Sequence, residues 1–226
     1  MQSMKSIAID VVSDVVCPWC YIGLKRLDAA LAQTDDVDVR VNWRPYQLDA
    51  TIPAGGIDRR QYMLAKFGSA ERLKEIHANV TEAGRSAGIA FDFDAIKVSP
   101  NTLDAHRLIR WAGTEGVDVQ AKLVRRLFQL FFEEGQNIAD RVVLVDAARS
   151  SGMDAAVVET LLASNADIDA VEAEIDTAEQ MGVRGVPCYL LEGRYAVMGA
   201  QDPAVLADAI QQIAGAKARG ELGPAA

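Results

Sequence analysis

The 226-residue sequence lacks several features that would tie it to particular classes of protein. It has no run of basic residues, and its 32 acidic against 23 basic side chains give a formal net charge of −9. That balance disfavours nucleic acid and anionic membrane surfaces as main partners. No stretch is long and apolar enough to span a bilayer, and the first residues show no leader pattern. We therefore expect a cytoplasmic protein with neither nucleic acid nor membrane as a partner.

Cysteine and histidine are scarce, with three and two residues respectively. A structural zinc site needs about four clustered ligands, and the sequence has no second C-x-x-C to complete one. It also has no glycine-rich loop between a strand and a helix, which a nucleotide site would need. We therefore predict that the protein holds no metal and no cofactor of its own. Three cysteines in a chain of this length do not make a disulfide scaffold.

The sequence does contain one pattern typical of redox chemistry, Cys17-Pro18-Trp19-Cys20, between an apolar strand-like run and a helical run. Proline fits the first turn of a helix, which places Cys17 at or beside the N-cap and Cys20 one turn further on. Free N–H groups and the positive end of the helix dipole favour an anion there, and the thiolate is the attacking form of cysteine. Cys20 would then close the disulfide and release a bound partner.

The remaining patterns place strands at both ends of the chain and helices in the middle. Residues 6–12 and 37–43 predict two strands joined by a helix, which requires a parallel pair. Residues 188–191 and 194–198 predict a hairpin, with a last helix starting at Pro203. We therefore expect an α/β, thioredoxin-like fold with an inserted all-helical domain. The expected divisions are residues 1–50 for the first part of the thioredoxin-like domain, 51–165 for the helical domain and 166–226 for the second part.

Several ordered segments resemble one known family, the DsbA-like oxidoreductases of the FrnE group. These are residues 13–23 (SDVVCPWCYIG), 100–108 (PNTLDAHRL), 182–187 (GVRGVP) and 193–201 (GRYAVMGAQ). The resemblance implies a thioredoxin fold with inserted helices and thiol–disulfide exchange, with Cys17 as nucleophile and Cys20 as resolving thiol. It also implies that Pro187 is a cis proline facing the cysteines. The backbone of Val186 would then be free to pair with an extended substrate.

Related families keep the alternatives open. Kappa-class glutathione transferases and 2-hydroxychromene-2-carboxylate isomerases resemble this chain in architecture but carry Ser where it has Cys17. We predict a cytoplasmic oxidoreductase that acts through a mixed disulfide on protein or small-molecule thiols and disulfides. The alternatives are a glutathione-dependent isomerase or transferase and a chaperone-like binding protein. Glutathione could serve as a co-substrate, with Val186 pairing with its cysteinyl backbone and the helix start at Gln201-Asp202 holding its γ-glutamyl end.

Trp19 and His106 complete the predicted substrate-binding set with Val186 and Pro187. We expect the Trp19 indole to be half-exposed at the rim, as a contact for a substrate. His106 is either a polar residue at the interface between the domains or a pocket residue near Cys17 that steadies the thiolate or holds a ligand.

Three further residues have a structural and a functional interpretation. Asp14 is either a turn or capping residue, or a carboxylate that tunes Cys20 or relays protons to it. Cys188 is a small apolar residue on a buried strand, a mixed-disulfide partner of the nucleophile, or a third redox thiol. We expect His77 to be solvated, because its neighbours in the sequence are charged or polar.

Overall fold

The structure of the protein is a computed structural model that describes residues 5–222. The strands in this part are β1 (Lys5–Ser13), β2 (Val37–Pro45), β3 (Ile57–Asp58), β4 (Val98–Ser99), β5 (Cys188–Leu191) and β6 (Tyr195–Met198). The helices are α1 (Pro18–Leu31), α2 (Arg59–Phe67), α3 (Ala70–Ser86), α4 (Leu103–Glu115), α5 (Val117–Phe132), α6 (Arg141–Ser151), α7 (Ala155–Leu162), α8 (Ile168–Gln180) and α9 (Pro203–Ala218). No helix in residues 5–222 has the length and apolar character needed to cross a membrane.

The main sheet has four strands in the order β2-β1-β5-β6. β1 runs parallel to β2, with Ile7 opposite Val39, and antiparallel to β5, with Val11 opposite Tyr189. β5 and β6 form an antiparallel hairpin. The parallel pair joined by a helix and the late hairpin are therefore both confirmed.

The two faces of the sheet carry separate apolar clusters because side chains alternate along each strand. Ile9 and Val11 of β1 pack on one face with Leu24 of α1 and Ile210 of α9. Val12 points to the other face, where it packs with residues of β5 and of α8. The central strand β1 is thus buried on both faces, which explains its β-branched, apolar sequence.

Helices α2 to α7 lie between β2 and α8 in the chain, and Gln120 of α5 joins them to the sheet. Its side-chain oxygen accepts from the Trp43 N–H at 2.9 Å, and its amide nitrogen lies 3.4 Å from the Trp43 carbonyl oxygen. The amide thereby occupies the hydrogen-bonding positions that a further strand would take at the β2 edge. This α/β arrangement confirms the expected thioredoxin-like fold with inserted helices.

A small second sheet, which the sequence patterns did not predict, fixes the position of α2. Ile57 of β3 pairs with Ser99 of β4, and Asp58 pairs with Val98. The Asp58 side chain then caps α2 by accepting from the Gln61 N–H at 2.8 Å. This pairing holds the start of α2 near the segment that precedes α4.

Candidate active site

The C-x-x-C pattern lies where β1 ends and α1 begins. Cys17 is the N-cap residue of α1, with extended backbone angles (φ −90°, ψ 114°), and Pro18 occupies the start of the helix. The Cys17 N–H donates to the Asp14 carbonyl oxygen at 3.0 Å, which closes the turn between strand and helix. The proline thus sets the helix start at the predicted place and makes Cys17 the N-cap residue, which has no side-chain capping hydrogen bond within residues 5–222.

Both thiols are withdrawn from solvent, with 5% of Cys17 and 1% of Cys20 exposed. Burial raises the pKa of the Cys20 thiol well above its ordinary range, and the neighbouring Cys17 raises it further. The Ser13 hydroxyl and the Asp14 backbone act in the opposite direction, since both can donate to the thiolate. At neutral pH Cys20 is therefore held as a thiol.

A backbone wall with a cis proline faces the two thiols. The peptide bond between Val186 and Pro187 is cis, which confirms the expectation drawn from the family resemblance. The Cys17 thiol donates to the Val186 carbonyl oxygen at 3.8 Å, and the Pro187 carbonyl oxygen accepts from the Gly199 N–H at 2.8 Å. No backbone group of residues 5–222 pairs with the Val186 N–H. A substrate chain could therefore pair there.

Gly23 of α1 allows the wall to come close to the helix. A Cβ at this position would lie 2.9 Å from Pro187 Cγ and closer still to the Tyr189 hydroxyl. That hydroxyl is buried and has no hydrogen-bond partner within the described residues, and burial raises the pKa of Tyr189. Only glycine leaves room for this contact without displacing the proline wall.

The structure places Trp19 at the rim and His106 behind the turn. Trp19 is 42% exposed, as expected for a contact residue, and its role in binding stays a prediction. The His106 Nε2 atom lies 3.3 Å from Asp14 Oδ1, and Asp14 Oδ2 accepts from the Leu48 N–H at 2.8 Å. His106 therefore contacts Asp14, whereas the hydrogen bond of the Cys17 thiol goes to Val186. Any effect of His106 on Cys17 would have to pass through Asp14.

Cys188 lies on β5 but faces away from the active-site thiols. It is fully buried among Val12, Ala178 and Val183 on one face of the sheet, while its neighbour Tyr189 packs on the other face with the active-site cysteines. Burial raises the pKa of the Cys188 thiol. These contacts confirm the interpretation of Cys188 as a small apolar residue on a buried strand.

A pocket beside the cysteine pair contains residues that the sequence reasoning missed. Its lining includes Arg59, Ser99 and His77. The expectation that His77 is solvated is wrong, because its ring is partly buried and stacks on Phe93 with 4.2 Å between ring centroids. Leu73, Ile76, His77 and Val80 follow the spacing i, i+3, i+4 and i+7, so the helical period could have placed His77 on the inner face of α3.

Residues that could hold a metal ion are not grouped in the described part of the chain. Within residues 5–222, no three His, Cys, Asp or Glu side chains lie together as a metal site requires. The prediction that the protein has no metal and no cofactor of its own stays a prediction.

The chain matches one protein family over most of its length. A family model described as the DSBA-like thioredoxin domain matches residues 8–211. The crystal structure of the probable DsbA oxidoreductase SCO1869 from Streptomyces coelicolor has 29% sequence identity and a TM-score of 0.82, and the match covers 97% of this chain and 93% of that one. The YwbO protein of Bacillus subtilis (strain 168) is 26% identical over 211 residues, which are 91% of this chain and 96% of that protein.

More distant structures share the fold. A 2-hydroxychromene-2-carboxylate isomerase has 17% identity and a TM-score of 0.68, covering 96% of this chain and 100% of that one. The cytosolic disulfide reductase DsbM from Pseudomonas aeruginosa, solved with GSH, has 18% identity and a TM-score of 0.58, covering 95% and 100%. At such identities the likeness is one of fold alone. The family model spans nearly the whole chain, and the protein therefore belongs to the DSBA-like thioredoxin domain family, with the fold of thiol–disulfide oxidoreductases and isomerases.

Proposed function

We propose that the protein is a dithiol–disulfide oxidoreductase that works through Cys17 and Cys20. The observation that carries this proposal is the position of Cys17 Sγ at the N-terminal end of α1, 3.8 Å from the Val186 carbonyl oxygen. The facing backbone offers an edge to a substrate. Cys20 lies one turn behind and is buried, as a resolving thiol should be.

The reaction would proceed in two exchanges. The Cys17 thiolate attacks one sulfur of a substrate disulfide, so that the substrate S–S bond breaks, a mixed disulfide forms and the other substrate sulfur leaves as a thiolate. Cys20 then gives up its proton to solvent and attacks Cys17 Sγ. The mixed disulfide breaks, the second substrate thiolate leaves, and a Cys17–Cys20 disulfide remains. The substrate gains two electrons and the protein loses two. In the reverse direction the oxidised pair would oxidise a dithiol.

The geometry supports an extended substrate lying between the wall and the rim. The Val186 N–H and carbonyl groups can pair with a backbone, as in strand addition, and the Trp19 indole offers an apolar face beside the reacting sulfur. Protein or small-molecule disulfides both satisfy these contacts. We expect His106 to act only indirectly on this substrate, through its hydrogen bond to Asp14.

Glutathione is the co-substrate that we propose for returning the pair to the dithiol state. Two glutathione thiols would reduce the Cys17–Cys20 disulfide and leave as glutathione disulfide. We expect its cysteinyl backbone to pair with the Val186 edge and the helix start at Gln201-Asp202 to hold its γ-glutamyl end. Asp202 is the N-cap residue of α9. We place the protein in the cytoplasm, where glutathione keeps thiols reduced. Fractionation of cells expressing the tagged protein would test this location.

Insulin reduction tests the proposed function. Cys17→Ser should abolish it, while Cys188→Ala is the matched control and should retain it, because Cys188 faces the other side of the sheet. Cys20→Ser should accumulate a mixed disulfide at Cys17, detectable by mass spectrometry. Full activity of Cys17→Ser would contradict the proposal.

The same variants separate the rival functions. A glutathione-dependent isomerase would bind glutathione saturably and convert a small aromatic substrate without reducing insulin. A chaperone-like protein would suppress aggregation equally well after both cysteines are replaced. Titration of the Cys17–Cys20 pair against glutathione would then give the direction of electron flow, because potentials in this fold span roughly −270 to −120 mV.

A further inference from the structure

A pocket lined by the residues on either side of Cys17 has no part in the proposed exchange reaction. It has a volume of about 130 Å³ and lies between the active-site turn and helices α2 and α3. We call it the α2–α3 pocket. Val16 and Pro18 form the wall next to Cys17, and Phe93 and Phe131 lie among the apolar residues of its other walls. Cys17 itself does not line the pocket, so a group held there would lie beside the two residues that flank Cys17 in the chain.

The size and apolar lining of the α2–α3 pocket suit one ring-sized group. An apolar cavity of about 150 Å³ in another protein holds a benzene molecule. The volume here, about 130 Å³, is similar and is open to solvent at one side. A single aromatic ring fits this space, whereas two fused rings would not be fully enclosed.

Two polar atoms at the wall of the pocket have no hydrogen-bond partner in the part of the chain that the structure describes. The Ser99 hydroxyl belongs to a residue that is only 4% exposed, and His77 Nε2 is likewise buried. Neither atom makes a hydrogen bond to any group of residues 5–222. Buried polar atoms are nearly always hydrogen-bonded, and each of these lines the pocket. A ligand with polar atoms on that side could supply a hydrogen-bond partner to both the Ser99 hydroxyl and His77 Nε2.

Arg59 brings an unpaired positive charge to the same pocket. Its guanidinium carbon lies 5.7 Å from the centre of the Phe131 ring, and no carboxylate of the described residues pairs with it. Burial lowers the pKa of Arg59 to about 10, because the cation is poorly hydrated. A guanidinium in such surroundings binds a carboxylate strongly, through two parallel hydrogen bonds.

The two carboxylates that also line the pocket are already engaged. Asp14 accepts from the Leu48 N–H and contacts His106. Asp49 accepts from Thr51 and from the Tyr62 hydroxyl, the latter at 2.9 Å. Neither carboxylate pairs with Arg59, so the positive charge of Arg59 is left for a ligand.

We propose that the α2–α3 pocket binds the ring of an aromatic carboxylate that carries the reacting sulfur, with Arg59 paired to its carboxylate. The ring would lie between Pro18 and Phe131, and the sulfur would reach Cys17. This inference rests on the proposed function, since it names the class of small-molecule thiol or disulfide that the cysteine pair accepts.

Binding of an inert acid tests the pocket without redox chemistry. Benzoate is titrated into the Cys17→Ser, Cys20→Ser double variant and followed by calorimetry and by NMR chemical shifts. We expect saturable binding that is at least tenfold weaker for benzamide, which has the same ring without the charge. Arg59→Gln should weaken benzoate binding at least tenfold. Arg60→Gln is the matched control, because Arg60 is exposed and does not line the pocket, and it should bind as the parent does.

Aromatic disulfides test the link to Cys17. With the reduced protein, 5,5′-dithiobis(2-nitrobenzoate) should react with a rate that saturates, and Arg59→Gln should raise the half-saturating concentration at least tenfold. The rate with neutral 4,4′-dithiodipyridine should not change, which also shows that the variant is folded. Equal effects on both reagents, equal effects of Arg59→Gln and Arg60→Gln, or equal binding of benzoate and benzamide would each overturn the proposal. If neither disulfide reacts at Cys17, the proposed function fails, and the benzoate titration still decides whether the pocket is a carboxylate site.

Discussion

Replacing Gly23 with alanine should move the proline wall away from the cysteine pair. The added Cβ would lie 2.9 Å from Pro187 Cγ and closer still to the Tyr189 hydroxyl. Atoms do not approach so closely in folded proteins, so Pro187 and Tyr189 must shift or α1 must tilt. The Tyr189 ring is fully buried, so it has little room to move.

A second helical glycine, in the last turn of α9, allows the size of this effect to be isolated. At Gly215 of α9, a Cβ would meet only the far end of the Arg219 side chain, at 3.2 Å. That side chain is exposed and pairs with Glu221 at the surface, where both can shift. Alanine improves helix propensity at both positions by about 1 kcal/mol. At Gly23, overpacking should oppose this gain by about 1–3 kcal/mol. The Gly23→Ala protein should therefore be about 1–3 kcal/mol less stable than the Gly215→Ala protein.

Urea denaturation at equal m-values measures the difference in the free energy of unfolding. The insulin reduction rate should fall in Gly23→Ala and stay unchanged in Gly215→Ala, because only the first displaces the wall that faces Cys17. Equal stabilities of the two variants, or a more stable Gly23→Ala, would refute the packing argument.

Burial raises the pKa of Cys20, so the fraction of Cys20 thiolate should still be growing between about pH 7 and 9. The rate at which Cys20 releases a trapped mixed disulfide should therefore rise steadily over this range in stopped-flow measurements. A rate that does not change with pH would contradict the raised pKa. Ser13→Ala should slow this release at each pH, since the hydroxyl that can donate to the Cys20 thiolate is lost; an unchanged rate would remove Ser13 from the mechanism. Cys188→Ser should lower the free energy of unfolding by about 1–3 kcal/mol, because a hydroxyl would replace a thiol in an apolar cluster, with no change in insulin reduction. Burial alone would raise the pKa of Glu192, but the hydrogen bonds that its carboxylate accepts, chiefly from Lys217, lower the pKa overall. The ionised carboxylate therefore stabilises the fold above about pH 4.3, and this contribution is lost as the pH falls further. Glu192→Gln should flatten the dependence of the free energy of unfolding on pH below about pH 5.

The strands of the main sheet, the long helices and the cysteine pair could all be predicted, because each depends on residues that are close in the chain. The alternation of residues 37–43 specifies one half-buried strand, and the recurrence of Val124, Leu127, Phe128 and Phe131 specifies the buried face of α5. Pro18 likewise sets the start of α1 beside Cys17.

The α2–α3 pocket could not be predicted, because its walls come from segments that are far apart in the chain. Arg59 and Ser99 are brought together by β3 and β4, and strands of two residues have no detectable period. The charge of Arg59 is notable only because no carboxylate of residues 5–222 pairs with it, and no sequence pattern reports that. The contact between Asp14 and His106 was missed for the same reason, since 92 residues separate them.

The order of the strands has a consequence for the synthesis of the protein. The Cys17 thiol contacts the carbonyl of Val186, which lies 169 residues later in the chain. At about 5–20 residues per second, the ribosome adds Val186 roughly 8–34 s after Cys17. During that interval β1 can pair with β2, but its other edge stays open until β5 is made. A nascent chain therefore carries both thiols before the wall that faces them exists. Truncated products ending before residue 188 should be prone to wrong disulfides and to strand pairing with other chains, and we expect them to need a holding chaperone.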